Sequence, residues 1–197
     1  MRFTLTYEGL LPPSANDARV AEKHDIRKSF HPQLWEMWNS HIAVDGWTKD
    51  WLRAEAEIGL PDEKKKSLLT VFPLRDFKFV PLVTRRLFLT CQLNITILRH
   101  QPPGRNMDLD NRLLTLFDAL RKPHFEQELP PLAKPDVHET PFCCLLEDDS
   151  LITDYNIHTD TLLKSTTPSG PEYIVLLIEA VIKTRRLLFG TIPLLGD

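Results

Sequence analysis

From Leu87 to Ile97 the chain reads LFLTCQLNITI, and it alternates. Leu87, Leu89, Cys91, Leu93, Ile95 and Ile97 fall on one side, while Thr90, Gln92, Asn94 and Thr96 fall on the other. A period of two belongs to a β-strand; a helix would scatter the same residues around its circumference. The chain must therefore build a sheet with one buried face and one wet or functional face. QPPGR, Gln101 to Arg105, ends the strand.

The neighbouring patterns give this strand its company. RFTLTYEG places Phe3, Leu5 and Tyr7 on one face of a first, half-buried strand, and the prolines of LLPPSAND stop it. SFHPQLWEMWNSHI predicts a helix with Ser29 as N-cap and Leu34, Met37, Trp38 and Ile42 on one face. A second helix is expected around TKDWLRAEAEIG, followed by a Pro-broken apolar stretch. Leu109, Leu113, Leu116, Phe117 and Leu120 form an apolar stripe at helical spacing, which Pro123 terminates. Residues 124–140 are Pro-rich, polar and aperiodic, as in a long loop or lid. LLEDDSLITDYNIHTD reads as extended, and YIVLLIEAVI as a central buried strand. The short turn between these two strands predicts an antiparallel hairpin. The order implies an α+β fold: one domain over residues 1–197, with a small mixed β-sheet, packed helices and inserted segments at about 43–83 and 124–140.

Composition narrows the function classes. No apolar run reaches membrane-spanning length, and there is no basic-then-apolar leader. Three cysteines, Cys91, Cys143 and Cys144, lack metal-ligand spacing and suit a reduced, cytoplasmic protein. The net charge of -3 argues mildly against nucleic acid, but its distribution is uneven. Residues 75–122 hold nine Lys/Arg against four Asp/Glu, whereas residues 123–150 hold one Lys against seven Asp/Glu. That contrast fits a polyanion-binding block or ordinary surface variation equally well.

Asp108 and Asp110 stand where the Leu109–Leu120 stripe begins. An aspartate there caps the unpaired N–H groups of a first helical turn and suits the positive end of the helix dipole. Capping accounts for one of the two. Carboxylates two residues apart in an extended entry segment converge, and a cation between them relieves their repulsion. Mg²⁺ takes such oxygen ligands. Glu147, Asp148 and Asp149 form a second acidic group, readable as a third metal arm or as a solvated strand entry.

DLDNRLLTLFDAL followed by EDDSLITDY resembles the RusA family of Holliday junction resolvases, and LPPSAND is similar to that family's segment after its first strand. The resemblance covers about half of the chain in three ordered blocks. It implies a Mg²⁺-dependent endonuclease acting on branched DNA as a homodimer, in recombination and repair. It implies Asp108, Asp110 and Asp149 as catalytic metal ligands, with Asp148 a neighbour of lesser role; Asn111, beside the aspartates, suits a cap or a residue that orients them. Arg99, Arg105 and Arg112 are candidate DNA contacts; basic residues here, Arg85, Arg86, Arg121 and Lys122 included, equally suit solvated element ends. Leu114 stands where the family usually carries a lysine, and Leu151 where it often carries a glutamine. These departures motivate the alternative of a catalytically weak or inactive RusA-fold module that binds DNA or protein.

Other residues read as structural. Asp118 is expected to pair with Arg121. Asn16 suits a turn or a site, and the four tryptophans suit packing more than base stacking. The seven histidines lack metal-binding spacing, and no glycine-rich phosphate loop is present.

Overall fold

The alternating strand lies inside a four-stranded sheet. A computed structural model of the chain describes residues 1–14, 19–40, 70–100, 108–163 and 173–186. Its elements are β1 (Arg2–Leu10), α1 (Val20–Ser40), β2 (Phe72–Leu74), β3 (Phe77–Val83), β4 (Leu89–Arg99), α2 (Leu109–Leu120), β5 (Phe142–Leu146), β6 (Ile152–Thr161) and β7 (Tyr173–Thr184). One sheet has the order β1-β7-β4-β6, and a second has the order β2-β3-β5. The fold is mixed α+β, as the pattern of the sequence implies. The expected helix around TKDWLRAEAEIG, Asn16, Ile42, Trp47, Trp51, Arg105 and the chain after Arg186 lie outside the described residues.

Leu89, Cys91, Leu93, Ile95 and Ile97 are all buried, while Gln92, Asn94 and Thr96 keep access to solvent. Thr90 departs from the alternation and is buried. The buried face meets Ile26, Phe30, Leu34 and Met37 of α1 and Leu113, Leu116 and Leu120 of α2 in one continuous core. Each such side chain contributes about 1.5–3 kcal/mol on burial. A smaller cluster of Phe77, Phe79, Leu129, Phe142 and Cys144 holds the second sheet.

The expected β6–β7 hairpin does not form. β7 pairs antiparallel with both β1 and β4, and β6 pairs parallel with β4 at the sheet edge. Burial explains the outcome. β7 is apolar almost throughout and needs a neighbour on each side, whereas Asp154, Asn156, His158 and Asp160 of β6 are exposed. Charged side chains on an edge strand also discourage pairing with other chains.

The first helix starts at Val20, not at Ser29. Ser29 lies within α1, and its hydroxyl donates to the Ile26 carbonyl at 2.7 Å. Pro32 is accommodated in the same helix, where the Gln33 side-chain amide donates to the Ser29 carbonyl at 3.1 Å. The loop over residues 124–140 is also ordered by contacts. Glu126–Glu128 and Val137–Glu139 form 3-10 turns, Leu129 is buried, and the Arg75 guanidinium donates to the Pro130 and Pro131 carbonyls. Among the described residues no helix is long and apolar enough to cross a membrane.

Cys91, Cys143 and Cys144 are free and buried, and burial pushes each thiol up to about 12. Protonated thiols of this kind pack as small apolar groups and are inert as nucleophiles.

Candidate functional site

The start of α2 is built from its own sequence. Asp108 is the N-cap: its carboxylate accepts the Asn111 backbone N–H at 3.5 Å and the Asn111 side-chain amide at 2.6 Å. Asn111 therefore supports Asp108 directly. The Asn111 carbonyl in turn accepts the Ser14 N–H at 2.8 Å, which ties the segment after β1 to the helix start. Asp110, in the first turn, is exposed, and among the described residues its carboxylate makes no hydrogen bond or ion pair. The helix dipole stabilises this bare charge.

The second acidic group is built differently. Asp148 caps the 3-10 turn Asp149–Leu151, accepting the Ser150 N–H at 3.0 Å and also the Ser150 hydroxyl. Arg85 reaches the same carboxylate at 2.9 Å and His124 Nε2 at 3.3 Å. Burial alone would raise the Asp148 carboxyl, but the Ser150 hydrogen bonds and the nearby Arg85 and His124 outweigh it and hold it below the usual range. Glu147 accepts the Arg85 backbone N–H at 2.9 Å. Asp149 is exposed, and its carboxylate has no partner among the described residues.

Topology sets the distance between the two groups. Leu10, Arg99, Thr161 and Tyr173 mark one end of the four-stranded sheet; Arg2, Cys91, Ile152 and Val181 mark the other. Arg112 of α2 donates to the Leu11 carbonyl, so the helix starts at the first end. Lys122 N–H donates to the Leu146 carbonyl at 2.9 Å, so the helix finishes at the second end, beside Glu147 and Asp148. From Asp110 to Arg121 the helical rise alone covers about 16 Å. Oxygens sharing one Mg²⁺ each lie about 2.1 Å from the ion. Asp108 is the N-cap and Asp110 lies inside the first helical turn, so the two stand in a helical segment and not in the extended one that would turn both carboxylates the same way, and Asp149 lies toward the opposite end of α2. The expected triad of Asp108, Asp110 and Asp149 is not assembled within the chain, and no three His, Cys, Asp or Glu side chains gather into a metal-holding group among the described residues.

No protein-family model matches the chain, and no curated protein matches it.

Two of the three expected DNA-contacting arginines, Arg99 and Arg112, also need correction. Arg99 is 5% exposed and Arg112 is 8% exposed, so neither offers its guanidinium to a duplex. Arg112 instead ties α2 to the end of β1. Leu114, by contrast, is 54% exposed, and its apolar side chain stands in solvent on the first turns of α2.

Asp118 is structural, as its spacing suggests. It pairs with Arg121 at 2.6 Å and Lys23 at 2.7 Å, and Arg121 also meets Glu128 at 2.7 Å. These side chains line a cleft of about 390 Å³ between α1, α2 and the loop after it. Their charges are already satisfied by one another. The adjoining Arg27 is buried and donates to the Asp118 carbonyl at 2.9 Å and the Arg121 carbonyl at 3.1 Å. It caps the C-terminal end of α2, where the helix dipole favours a cation.

One group of residues escaped the sequence reading. Phe88, Lys183, Arg185 and Arg186 are all exposed at the second end of the sheet. Only the register, Leu89 opposite Thr184, brings these distant segments together.

Proposed function

We propose that the chain is a RusA-like, Mg²⁺-dependent endonuclease of branched DNA, cytoplasmic and homodimeric, serving recombination and repair. In this reading Asp108 and Asp110 hold the ion, and Asp149 has no part in the same site. The observation that carries it is the pairing of a capping aspartate with a bare, unpartnered Asp110 carboxylate at the positive end of α2. Two carboxylates suffice for Mg²⁺, which commonly completes its shell with water and substrate phosphate. Capping is compatible with ligation, because each Asp108 oxygen retains a lone pair beyond the one Asn111 uses. The bound ion would polarise a scissile phosphate and acidify a water. Asn111 would orient Asp108, and Ser14 would fix Asn111. Two copies related by a two-fold axis would address the two strands of a junction symmetrically.

The test is incubation of a labelled four-way junction with Mg²⁺ and either the wild type or Asp110→Asn. Cleavage by the wild type that falls at least a hundredfold in Asp110→Asn is the expected result. Cleavage unchanged by the substitution removes the site.

A second reading has an observation of its own. The separation of Asp149 from Asp110 and the exposed Leu114 favour a RusA-fold module that binds branched DNA or a protein without efficient cleavage. Junction binding by the wild type with no product in Mg²⁺ supports that reading over the first.

A further inference from the structure

We propose that the turn Arg85–Phe88, together with the end of β7, forms a binding surface for a single-stranded nucleic-acid segment, with a base stacked on Phe88. The proposal stands on this surface and not on the Asp110 site.

Three observations converge on it. Phe88 is 40% exposed although it belongs to an otherwise apolar stretch, and its φ is 55°. That left-handed conformation is strained for a bulky residue and suits glycine or asparagine. An aromatic kept there, half in solvent, gains little packing for the fold. Second, basic residues lie beside the ring. Arg186 lies over it, 5.6 Å from the centroid, and Lys183 and Arg185 are exposed on the adjoining end of β7 and the residues after it. Third, the surface is held in shape. Phe88 N–H donates to the Arg85 carbonyl at 3.0 Å, Arg185 N–H to the Phe88 carbonyl at 2.8 Å, and Arg186 N–H to the Thr184 hydroxyl at 3.2 Å.

The chemistry of the occupant follows. A stack of bases offers π-faces to Phe88, and the strand's phosphates meet the arginines and lysine. Aromatic stacking together with basic tracking is how proteins hold unpaired strands with little sequence preference. A duplex would offer its phosphates but no accessible base face. The acidic neighbours bound the surface on one side: Arg85 is already neutralised by Asp148, and Lys183, Arg185 and Arg186 have no carboxylate at ion-pair distance among the described residues.

The experiment is fluorescence anisotropy of a labelled oligothymidylate, in EDTA so that no strand is cut, with a duplex of equal length and heparin as competitors. The wild type is expected to bind the single strand more tightly than the duplex. Phe88→Ala should weaken binding about tenfold, and Phe88→Trp should retain it. Replacing Arg185 and Arg186 with Gln should lower the slope of log affinity against log salt by about 1.4. Equal binding by wild type and Phe88→Ala, or displacement by heparin and duplex as readily as by single strand, overturns the proposal. Single-strand binding in EDTA by a protein that never cleaves a junction leaves this surface standing while the nuclease reading fails.

Discussion

The imidazole of His124 sits 3.3 Å from the carboxylate of Asp148 and, with Arg85, pins that acidic corner beside the C-terminal end of α2. Asp110 lies at the other end of the same helix, in its first turn. One rigid element thus separates the two acidic groups that the sequence invites one to merge. A helix resists shortening, because each turn is fixed by its own hydrogen bonds. The proposed reading accordingly gives Asp110 and Asp149 different roles.

Asp108 and Asp110 should differ in their effect on stability. Asp108→Ala removes the cap and the Asn111 contacts and should cost about 1 kcal/mol in urea unfolding. Asp110→Asn removes only a favourable interaction with the helix dipole and should cost about 0.5 kcal/mol or less. Equal losses in the two variants would show that Asp110 shares the capping work.

Arg27 should be one of the costliest single positions in the chain. Its buried guanidinium donates to the Asp118 and Arg121 carbonyls, so Arg27→Met strands the end of α2 without partners. The expected loss is about 3 kcal/mol, read from the midpoint of urea unfolding. Arg27→Lys should recover only part of it, because a single ammonium lacks the planar fork that reaches both carbonyls.

Acid should weaken the fold through His24. Burial, then the nearby Arg27 and Lys28, lowers this imidazole from 6.5 to about 4, and its ring packs against Phe77 at 5.5 Å. Between those values the unfolded chain takes up a proton that the folded chain refuses, so stability falls as pH falls through that window. The loss should reach about 2 kcal/mol. His24→Gln should flatten the dependence between pH 6.5 and 4, as measured by thermal melts across that range. Stability lost only below pH 4 would place the effect on carboxylates such as Asp148 instead.

Much of the sheet was legible because its strands alternate or run apolar. The β4 pattern named its buried face residue by residue, and the apolar run in β7 marked a strand with neighbours on both sides. The α2 stripe and its cap were legible for the same reason: local periodicity and local hydrogen bonding decide them. β5 was not, since Phe142, Cys143, Cys144, Leu145 and Leu146 are all buried and five buried residues in a row carry no period. β3 contains Pro81, which reads as a strand breaker. It is tolerated there because β2 pairs only with residues 77–79, so the missing N–H faces no partner on that side. The hairpin expectation failed because pairing is a nonlocal choice, made by burial of β7 and not by turn length. The same holds for the site. Asp108 and Asp110 were found from neighbours in sequence, while the place of Asp149 depended on which end of the sheet β6 enters. Phe88 meets Arg186 only through the β4–β7 register.

The central claim is that Asp110 and Asp149 belong to different sites, and cleavage of a four-way junction in Mg²⁺ tests it most directly. Wild type, Asp110→Asn and Asp149→Asn should be compared at equal concentration, with folding checked by circular dichroism. The predicted result is a loss of at least a hundredfold in Asp110→Asn and less than about threefold in Asp149→Asn, since in the proposed reading only Asp110 holds the ion. Equal, near-complete loss in both variants would contradict the account and join the two carboxylates in one centre.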